Sequence, residues 1–291
     1  MIKLGMLDFD TSHVVAFSQR LNKKGIAEEQ WVDGAEIVLG CPGTSRMSPE
    51  RIAGHAKKCS EELGVKLVDK PEDMRGKVDG MLIESIDGGM HLERVKLFID
   101  AGMPLFIDKP LASSLADAEA IAELAEKKNV PIFSASSLRY GVEVIEALAA
   151  REELGAPVAV HVYGVQGRDP KYNPGWFNYG IHAAEMLITL LGPGHQAVQY
   201  ARGETGEQSM GGWKSGAVGS ITLTSKGDYP FGFTYLGEKK TRAARVDTNH
   251  IYRGLLREVV KFFQSGKAPV PIAETLGIIR YLEDVNKAGG L

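Results

Sequence analysis

The first half of the chain alternates short apolar runs with amphipathic stretches. Short apolar runs bounded by polar residues are typical of strands buried on both faces. The predicted order is strand 2–7, helix 12–21, strand 36–40, helix 49–63, strand 65–68, strand 80–83, helix 92–101, strand 105–107, helix 115–127 and strand 131–134. Strands separated by helices predict βαβ units with right-handed crossovers, and therefore a Rossmann-type, doubly wound parallel sheet in an α/β protein.

The pattern changes after Leu138. The second half is predicted as strand 157–165, helix 180–191, strands 217–225, 231–236 and 242–246, and helices 252–264 and 272–286. Strands joined by turns predict an open, mainly antiparallel sheet. We therefore expect a Rossmann-type domain over residues 1–138 and a substrate-binding and oligomerisation α/β domain over 139–291, whose closing helices can pack back on the first domain.

Composition and charge exclude several classes of protein. Hydrophobic residues make up 44% of the chain and charged residues 24%, and 34 basic side chains face 37 acidic ones. This balance argues against a nucleic-acid partner, which a basic stripe would indicate. An acid at position 8 is unlike a signal peptide, and no apolar run approaches the roughly 20 residues of a membrane span. Two cysteines make no disulfide framework, which favours a reducing compartment, so we expect a cytoplasmic protein. Without a membrane span we also expect no membrane partner.

Chemistry is predicted at the end of the fifth strand, where the chain reads Asp108-Lys109-Pro110. Open α/β sheets bind ligands in the crevice outside the carboxyl ends of their strands. Lys109 is therefore expected to bring a cation to a ligand site.

The turn after the first strand departs from a dinucleotide-binding loop. Such a loop uses glycines because the pyrophosphate must approach backbone N–H groups at a helix N-terminus. Here Asp8, Asp10 and His13 take the three glycine positions. Each carboxylate is expected to repel a pyrophosphate by up to about 4 kcal/mol at 4 Å and an effective dielectric constant near 20. Thr11 and Ser12 are predicted N-caps of the first helix.

The segment after the second strand suggests which dinucleotide would bind. No acid is present there for a ribose diol, whereas Thr44, Ser45 and Arg46 form a group that accommodates a 2′-phosphate. The interpretation favours NADP and leaves NAD open; a capped loop before the next helix is the alternative without a ligand. A second alternative is a hard-cation site built from Asp8, Asp10, His13 and His91.

Several motifs, in order, resemble those of the Gfo/Idh/MocA oxidoreductases, the relatives of glucose–fructose oxidoreductase and inositol dehydrogenase. The matching pieces are Asp108-Lys109-Pro110 for Glu-Lys-Pro, the loop 83–91 that ends on a histidine, Arg139-Tyr140, the segment 178–185 for Asp-x-Gly-x-His-x-x-Asp, and the closing stretch 252–267. The resemblance implies hydride transfer between NAD or NADP and a sugar, a polyol or a similar small carbonyl compound. It also implies a homo-oligomer, dimer or tetramer, that often packs through the second sheet.

The resemblance also implies the roles of particular residues. His182 would be the base, since an imidazole accepts protons near neutral pH, and Lys109 would stabilise developing alkoxide charge. Glu185 would orient His182 or bind substrate hydroxyls. Substrate binding is implied for Asn178, Glu185, Arg139, Tyr140 and Trp176, and cofactor binding for Asp10, Thr11, Ser12, His13, Thr44, Ser45, Arg46, Ser85, His91, Asp108 and Pro110, with no metal ligands. Asn178 stands where the family usually has an acid, and an amide cannot accept a proton. Trp176 could equally be a core residue.

Three functions follow from these observations. The leading one is an NAD(P)-dependent oxidoreductase acting on CH–OH groups of a small molecule. The second is a descendant without a cofactor that binds or senses a small molecule, and the third is a metal-assisted lyase or hydrolase at Asp8, Asp10 and His13. The segment 168–170 is predicted as a loop turn.

Overall fold

The structure is a computed structural model that describes residues 1–167, 171–228 and 230–291. The predicted turn at 168–170 lies outside the described residues. The strands are β1 Ile2–Leu7, β2 Ala35–Cys41, β3 Lys66–Leu67, β4 Gly80–Ile83, β5 Leu105–Ile107, β6 Ile132–Phe133, β7 Pro157–Val165, β8 His195–Arg202, β9 Gly206–Trp213, β10 Val218–Thr224, β11 Gly232–Gly237 and β12 Thr241–Arg245. The helices are α1 His13–Leu21, α2 Pro49–Glu61, α3 His91–Ile99, α4 Leu115–Lys128, α5 Val142–Ala149, α6 Arg151–Leu154, α7 Gly180–Leu191, α8 Ile251–Ser265 and α9 Ile272–Gly289.

The chain divides into two compact units. The first comprises residues 1–135 and 252–272, and the second residues 136–251 and 273–291. The predicted boundary lay after Leu138, three residues beyond the division, and most of α8 belongs to the first unit.

The first unit is built on a parallel sheet with the strand order β3-β2-β1-β4-β5-β6. The strand order reverses between β1 and β4, which is the switch point where open α/β sheets bind ligands. Leu4, Met6 and Leu7 of β1 have no exposed surface, as do Leu105 and Ile107 of β5. Burial on both faces explains why these strands read as continuous apolar runs. The predicted doubly wound sheet is confirmed.

The second unit contains a sheet with the order β12-β11-β7-β10-β9-β8. Strands β7 and β10 pair in parallel, and the other neighbours pair antiparallel. The predicted open, mainly antiparallel sheet is confirmed. Strands β8 and β9 were not predicted, because glutamines, glycines and a serine interrupt their apolar pattern; they form by pairing outward from β10.

Two further expectations can be compared with the structure. Cys41 and Cys59 are both free and buried, and burial raises the pKa of the Cys59 thiol to about 11. Across the described ranges, every helix is too short or too polar to cross a lipid bilayer.

Candidate functional site

Asp8 begins the turn between β1 and α1. Its backbone φ is +66°, in the left-handed region that favours glycine, which explains the glycine usual at this position. The carboxylate is fully buried and accepts hydrogen bonds from Arg94 Nε at 2.8 Å, from the Ser85 hydroxyl and from the Thr44 N–H at 3.2 Å. A Cβ on Gly43 would lie 1.9 Å from Asp8 Oδ1, so Gly43 is required there. The repulsion expected from Asp8 is therefore offset by Arg94.

Asp10 is also fully buried, and its environment differs from that of Asp8. Its Oδ1 accepts the Ile86 N–H at 3.0 Å, while no described residue donates to its Oδ2. Burial raises the pKa of Asp10, and the charge of Asp8 adds to this shift, whereas the nearby Ser45 side chain and the Ile86 N–H oppose it. Asp10 is therefore protonated more readily than an ordinary aspartate, which weakens the repulsion predicted for it.

The start of α1 differs from the predicted capping pattern. Ser12 is the N-cap residue, but its side chain makes no capping hydrogen bond. Thr11 Oγ1 instead accepts the N–H of His13 at 3.3 Å. No described residue accepts a hydrogen bond from the N–H of Thr11 or Ser12, so both donors at the helix start are available to an anion.

His13, at the third glycine position, forms a hydrogen bond with the motif after β5. Its Nδ1 lies 2.7 Å from Asp108 Oδ2, and both side chains are buried. Burial alone would raise the pKa of Asp108, but His13, followed by Lys109, holds it below its ordinary value. The imidazole also stacks on Phe17 at 5.2 Å between ring centroids.

Glu84 follows β4 beside this pair and was not predicted as a site residue. It is fully buried, and neither carboxylate oxygen has a hydrogen-bond partner among the described residues. Burial, followed by the charge of Asp108, raises the pKa of Glu84 well above its ordinary value. The ligand-type atoms of His13, Glu84 and Asp108 lie within 4.8 Å of one another, so these residues could hold a cation.

The predicted cation site of Asp8, Asp10, His13 and His91 is wrong, because Asp8 pairs with Arg94 and His91 is engaged elsewhere. His91 Nδ1 lies 3.1 Å from the carbonyl oxygen of Leu111, and Nε2 lies 2.9 Å from that of Ser85. Both ring nitrogens of this buried residue thus face backbone carbonyls. His91 holds the loop after β4 against the segment after β5, and its predicted role in cofactor binding stays a prediction.

Lys109 follows β5 directly, as predicted. Its side chain is partly exposed, whereas Asp108 and Pro110 on either side are buried. The peptide bond between Lys109 and Pro110 is cis. The charge of Lys109 lowers the pKa of both Asp108 and Glu84, against the effect of their burial. The ammonium group therefore contributes to the charge balance of the cluster at the switch point.

The residues after β2 make contacts of their own. Thr44 Oγ1 accepts a hydrogen bond from Arg94 Nη2 at 2.9 Å, and Ser45 Oγ accepts the N–H groups of residues 47 and 48. Arg46 is half exposed and pairs through Nε and Nη2 with the buried Asp87 at 2.7 and 2.5 Å. Beside Thr44 and Arg94 is a cavity of about 470 Å³ at the carboxyl ends of β1, β2 and β3. Its volume falls in the range of small-molecule sites.

In the second unit, His182 lies in the first turn of α7 and is partly exposed. Its Nδ1 lies 2.7 Å from the hydroxyl oxygen of Ser136. Glu185 instead accepts a hydrogen bond from Arg139 Nε at 2.7 Å, and Arg139 Nη2 donates to Glu274 at 2.5 Å. The prediction that Glu185 orients the imidazole is corrected: Ser136 is the hydrogen-bond partner of Nδ1.

The remaining predicted substrate residues of the second unit have different surroundings. Arg139 is buried between two glutamates, which raise its pKa although burial alone would lower it. Trp176 is 1% exposed and packs edge-on against Tyr200, as expected of a core residue. Asn178 and Tyr140 are partly exposed. Asn178 thus remains accessible to a ligand, whereas the Tyr140 hydroxyl oxygen is buried and the Arg139 guanidinium is engaged.

Sequence comparison supports the N-terminal half of this description. Residues 50–136 match the model of an oxidoreductase family with an NAD-binding Rossmann fold, and the match begins beyond the β1–α1 turn. The protein YceM of Salmonella typhimurium, named as an oxidoreductase, is 27% identical over 116 residues. That region is 40% of this chain and 37% of YceM, so the chain matches well under half of its relative's length.

Solved structures match nearly the whole chain. GenD2 from gentamicin A biosynthesis, in complex with NAD, superposes with a TM-score of 0.80 at 15% identity, over 99% of this chain and 94% of its own. The scyllo-inositol dehydrogenase from Lactobacillus casei, with bound NAD(H) and scyllo-inositol, superposes with a TM-score of 0.81 at 12% identity, over 99% and 96%. At such identities the likeness shows a shared fold.

Proposed function

We propose that the chain is an oxidoreductase of the Gfo/Idh/MocA type and an NAD(P)-dependent dehydrogenase of a sugar, a polyol or a similar small hydroxyl compound. The observation that carries the proposal is Lys109, a partly exposed cation directly after β5, on a parallel sheet whose strand order reverses between β1 and β4. The substrate class rests on the related fold of scyllo-inositol dehydrogenase, and a homo-oligomer remains a prediction.

The residues around the switch point fit a dinucleotide despite the absent glycines. The N–H groups of Thr11 and Ser12, which donate to no described residue, would meet the pyrophosphate. The cavity beside Thr44 and Arg94 would receive the adenosine, and Arg94 compensates the charge of Asp8. The guanidinium of Arg46 would contact the 2′-phosphate of NADP.

When bound, the dinucleotide supplies the hydride acceptor. His182 takes the hydroxyl proton at Nε2, because its Nδ1 is already bound to Ser136. The ammonium group of Lys109 stabilises the negative charge that develops on the reacting oxygen. Asn178 contributes hydrogen bonds that orient the substrate but accepts no proton. Arg139 and Glu185, paired with each other, support the unit from inside.

Titration calorimetry with NAD+, NADH, NADP+ and NADPH tests the proposal. We expect micromolar binding of at least one oxidised and reduced pair, followed by polyol-dependent reduction of that cofactor. If none of the four binds at millimolar concentration, the proposal is wrong. A sugar-like ligand that then raised the melting temperature by itself would indicate a binding protein that has lost the cofactor.

A further inference from the structure

We propose that Ser136 is the positioning residue of His182 and determines which imidazole nitrogen carries the proton. The inference rests on the proposed function, because it assigns a partner to the base of that reaction. Ser136 lies just after β6, 46 residues before His182 in the chain, and is fully buried.

The geometry around Ser136 supports the assignment. The Ser136 hydroxyl oxygen lies 2.7 Å from His182 Nδ1 and accepts the N–H of Leu138 at 3.3 Å. The imidazole lies edge-on to Phe231 and to Tyr179, with ring centroids 5.9 and 5.6 Å away. The rings restrict the tilt of the imidazole, and the hydroxyl hydrogen bond selects the rotation that brings Nδ1 to Ser136.

Two other described side chains close to His182 along the chain, Asn178 and Glu185, do not fix its tautomer. Asn178, one turn earlier, stands where the family usually has an acid, and an amide takes no proton. Glu185, one turn later, is held by Arg139. An imidazole that takes a proton at Nε2 already carries one on Nδ1, so its Nδ1–H donates to the Ser136 hydroxyl oxygen. The same hydrogen bond holds the imidazole before and after Nε2 takes the proton.

Ser136 lies beside the buried ion pairs of the second unit, in which Arg139 binds both Glu185 and Glu274. Burial raises the pKa of the Glu185 carboxyl, and the charge of Arg139 and the backbone N–H of Ser136 oppose that shift. A side chain held through a buried network loses little conformational entropy when it orients another residue. Arg139 and Glu185 would thus support the position of Ser136 without contacting the substrate.

The first test uses a probe that needs no substrate. Protein labelled with ¹⁵N in histidine reports the imidazole tautomer through its nitrogen chemical shifts, and a His182→Asn variant identifies the signals of His182. We expect Ser136→Ala to move both His182 nitrogen shifts toward a mixture of tautomers. The matched control is Ser137→Ala, since Ser137 is adjacent and 5% exposed. Identical His182 shifts in Ser136→Ala and the wild type would overturn the inference.

Kinetics then separate this inference from the proposed function. In a cofactor-reduction assay, we expect Ser136→Ala to lower kcat about tenfold or more, leave KM nearly unchanged and shift the acidic limb of the pH profile, while Ser136→Thr restores activity. If His182→Ala is inactive but Ser136→Ala matches Ser137→Ala in kcat and pH profile, the inference is wrong. If His182→Ala is fully active, the proposed role of His182 is wrong, and with it the inference.

Discussion

His13 Nδ1 and Asp108 Oδ2 lie 2.7 Å apart, and this contact joins the first residue of α1 to the residue that follows β5. A dinucleotide fold packs a glycine at the position of His13, to bring the helix close to the strand. Here a buried hydrogen bond between two side chains takes the place of that close packing. His13, which replaces the third glycine, and Asp108, the acid before Lys109, thus form one structural feature.

We expect His13→Gly to destabilise the protein although it restores the glycine of the fingerprint. The variant leaves Asp108 buried without its partner, and breaking a buried pair in this way costs about 3–5 kcal/mol. Urea denaturation measures the loss. Asp108→Asn and the double variant complete a cycle in which the double variant should lose less than the sum of the single ones. Additive losses would show that the two side chains do not interact.

The cluster of His13, Glu84 and Asp108 is expected to be stable without a metal ion. His13 and Lys109 already oppose the charge of Asp108, and burial favours the neutral form of Glu84. Dialysis against a chelator should therefore leave the melting temperature unchanged, and added Mn²⁺ or Zn²⁺ should not raise it. A rise with Zn²⁺ in the wild type that Glu84→Gln abolishes would establish a metal site.

Glu84 should impose a pH dependence on stability in metal-free buffer. Burial raises the pKa of Glu84, so the folded state binds its proton more tightly than the unfolded state does. The associated stabilisation is full below the unfolded pKa of about 4.3 and is lost as the pH rises through the folded value. As the pH rises from about 4.3, the free energy of unfolding of Glu84→Gln should therefore decrease less than that of the wild type. The exposed Glu123→Gln is the control, and equal slopes in Glu84→Gln and the wild type would contradict the expectation.

Lys109→Ala should abolish turnover and leave the fold intact. The side chain is partly exposed, and Asp108 keeps its partner His13 in the variant. Circular dichroism checks the fold, and cofactor reduction checks activity. The matched control is Lys127→Ala, at an exposed position in the last turn of α4. Undiminished turnover in Lys109→Ala would remove Lys109 from the mechanism.

Arg46→Ala should weaken the binding of NADPH by about tenfold and change the binding of NADH little. Only NADPH carries the 2′-phosphate, which a guanidinium binds strongly. Calorimetry with both cofactors gives the ratio. Arg46→Lys retains a cation beside the buried Asp87 and separates loss of the charge from loss of the guanidinium hydrogen bonds. Arg51→Ala, on the exposed surface of α2, is the control. An equal loss for both cofactors would exclude recognition of the 2′-phosphate by Arg46.

Sequence pattern alone located much of the fold. The bounds of β1, β4, β5, β7 and α7 agree with the predictions residue for residue. Burial on both faces forces continuous apolar runs in the central strands of a parallel sheet, so the signal is local. The same reasoning placed Lys109 at the carboxyl end of β5. Strands β8 and β9 lacked such an apolar pattern. Pairing with neighbouring strands stabilises them more than the burial of their own side chains does.

The partners of the charged residues were decided by tertiary structure. Asp8 meets Arg94 across 86 residues of chain, His13 meets Asp108 across 95, and Ser136 meets His182 across 46. From the sequence, Asp8 and Asp10 could only be counted as two negative charges near a phosphate site. Local periodicity determines which strands and helices form, whereas pairing between distant side chains depends on which strand ends the fold brings together. The pairing of the charged side chains therefore depended on the topology of the fold. The order of apolar and polar residues determined the strands and helices that carry those side chains.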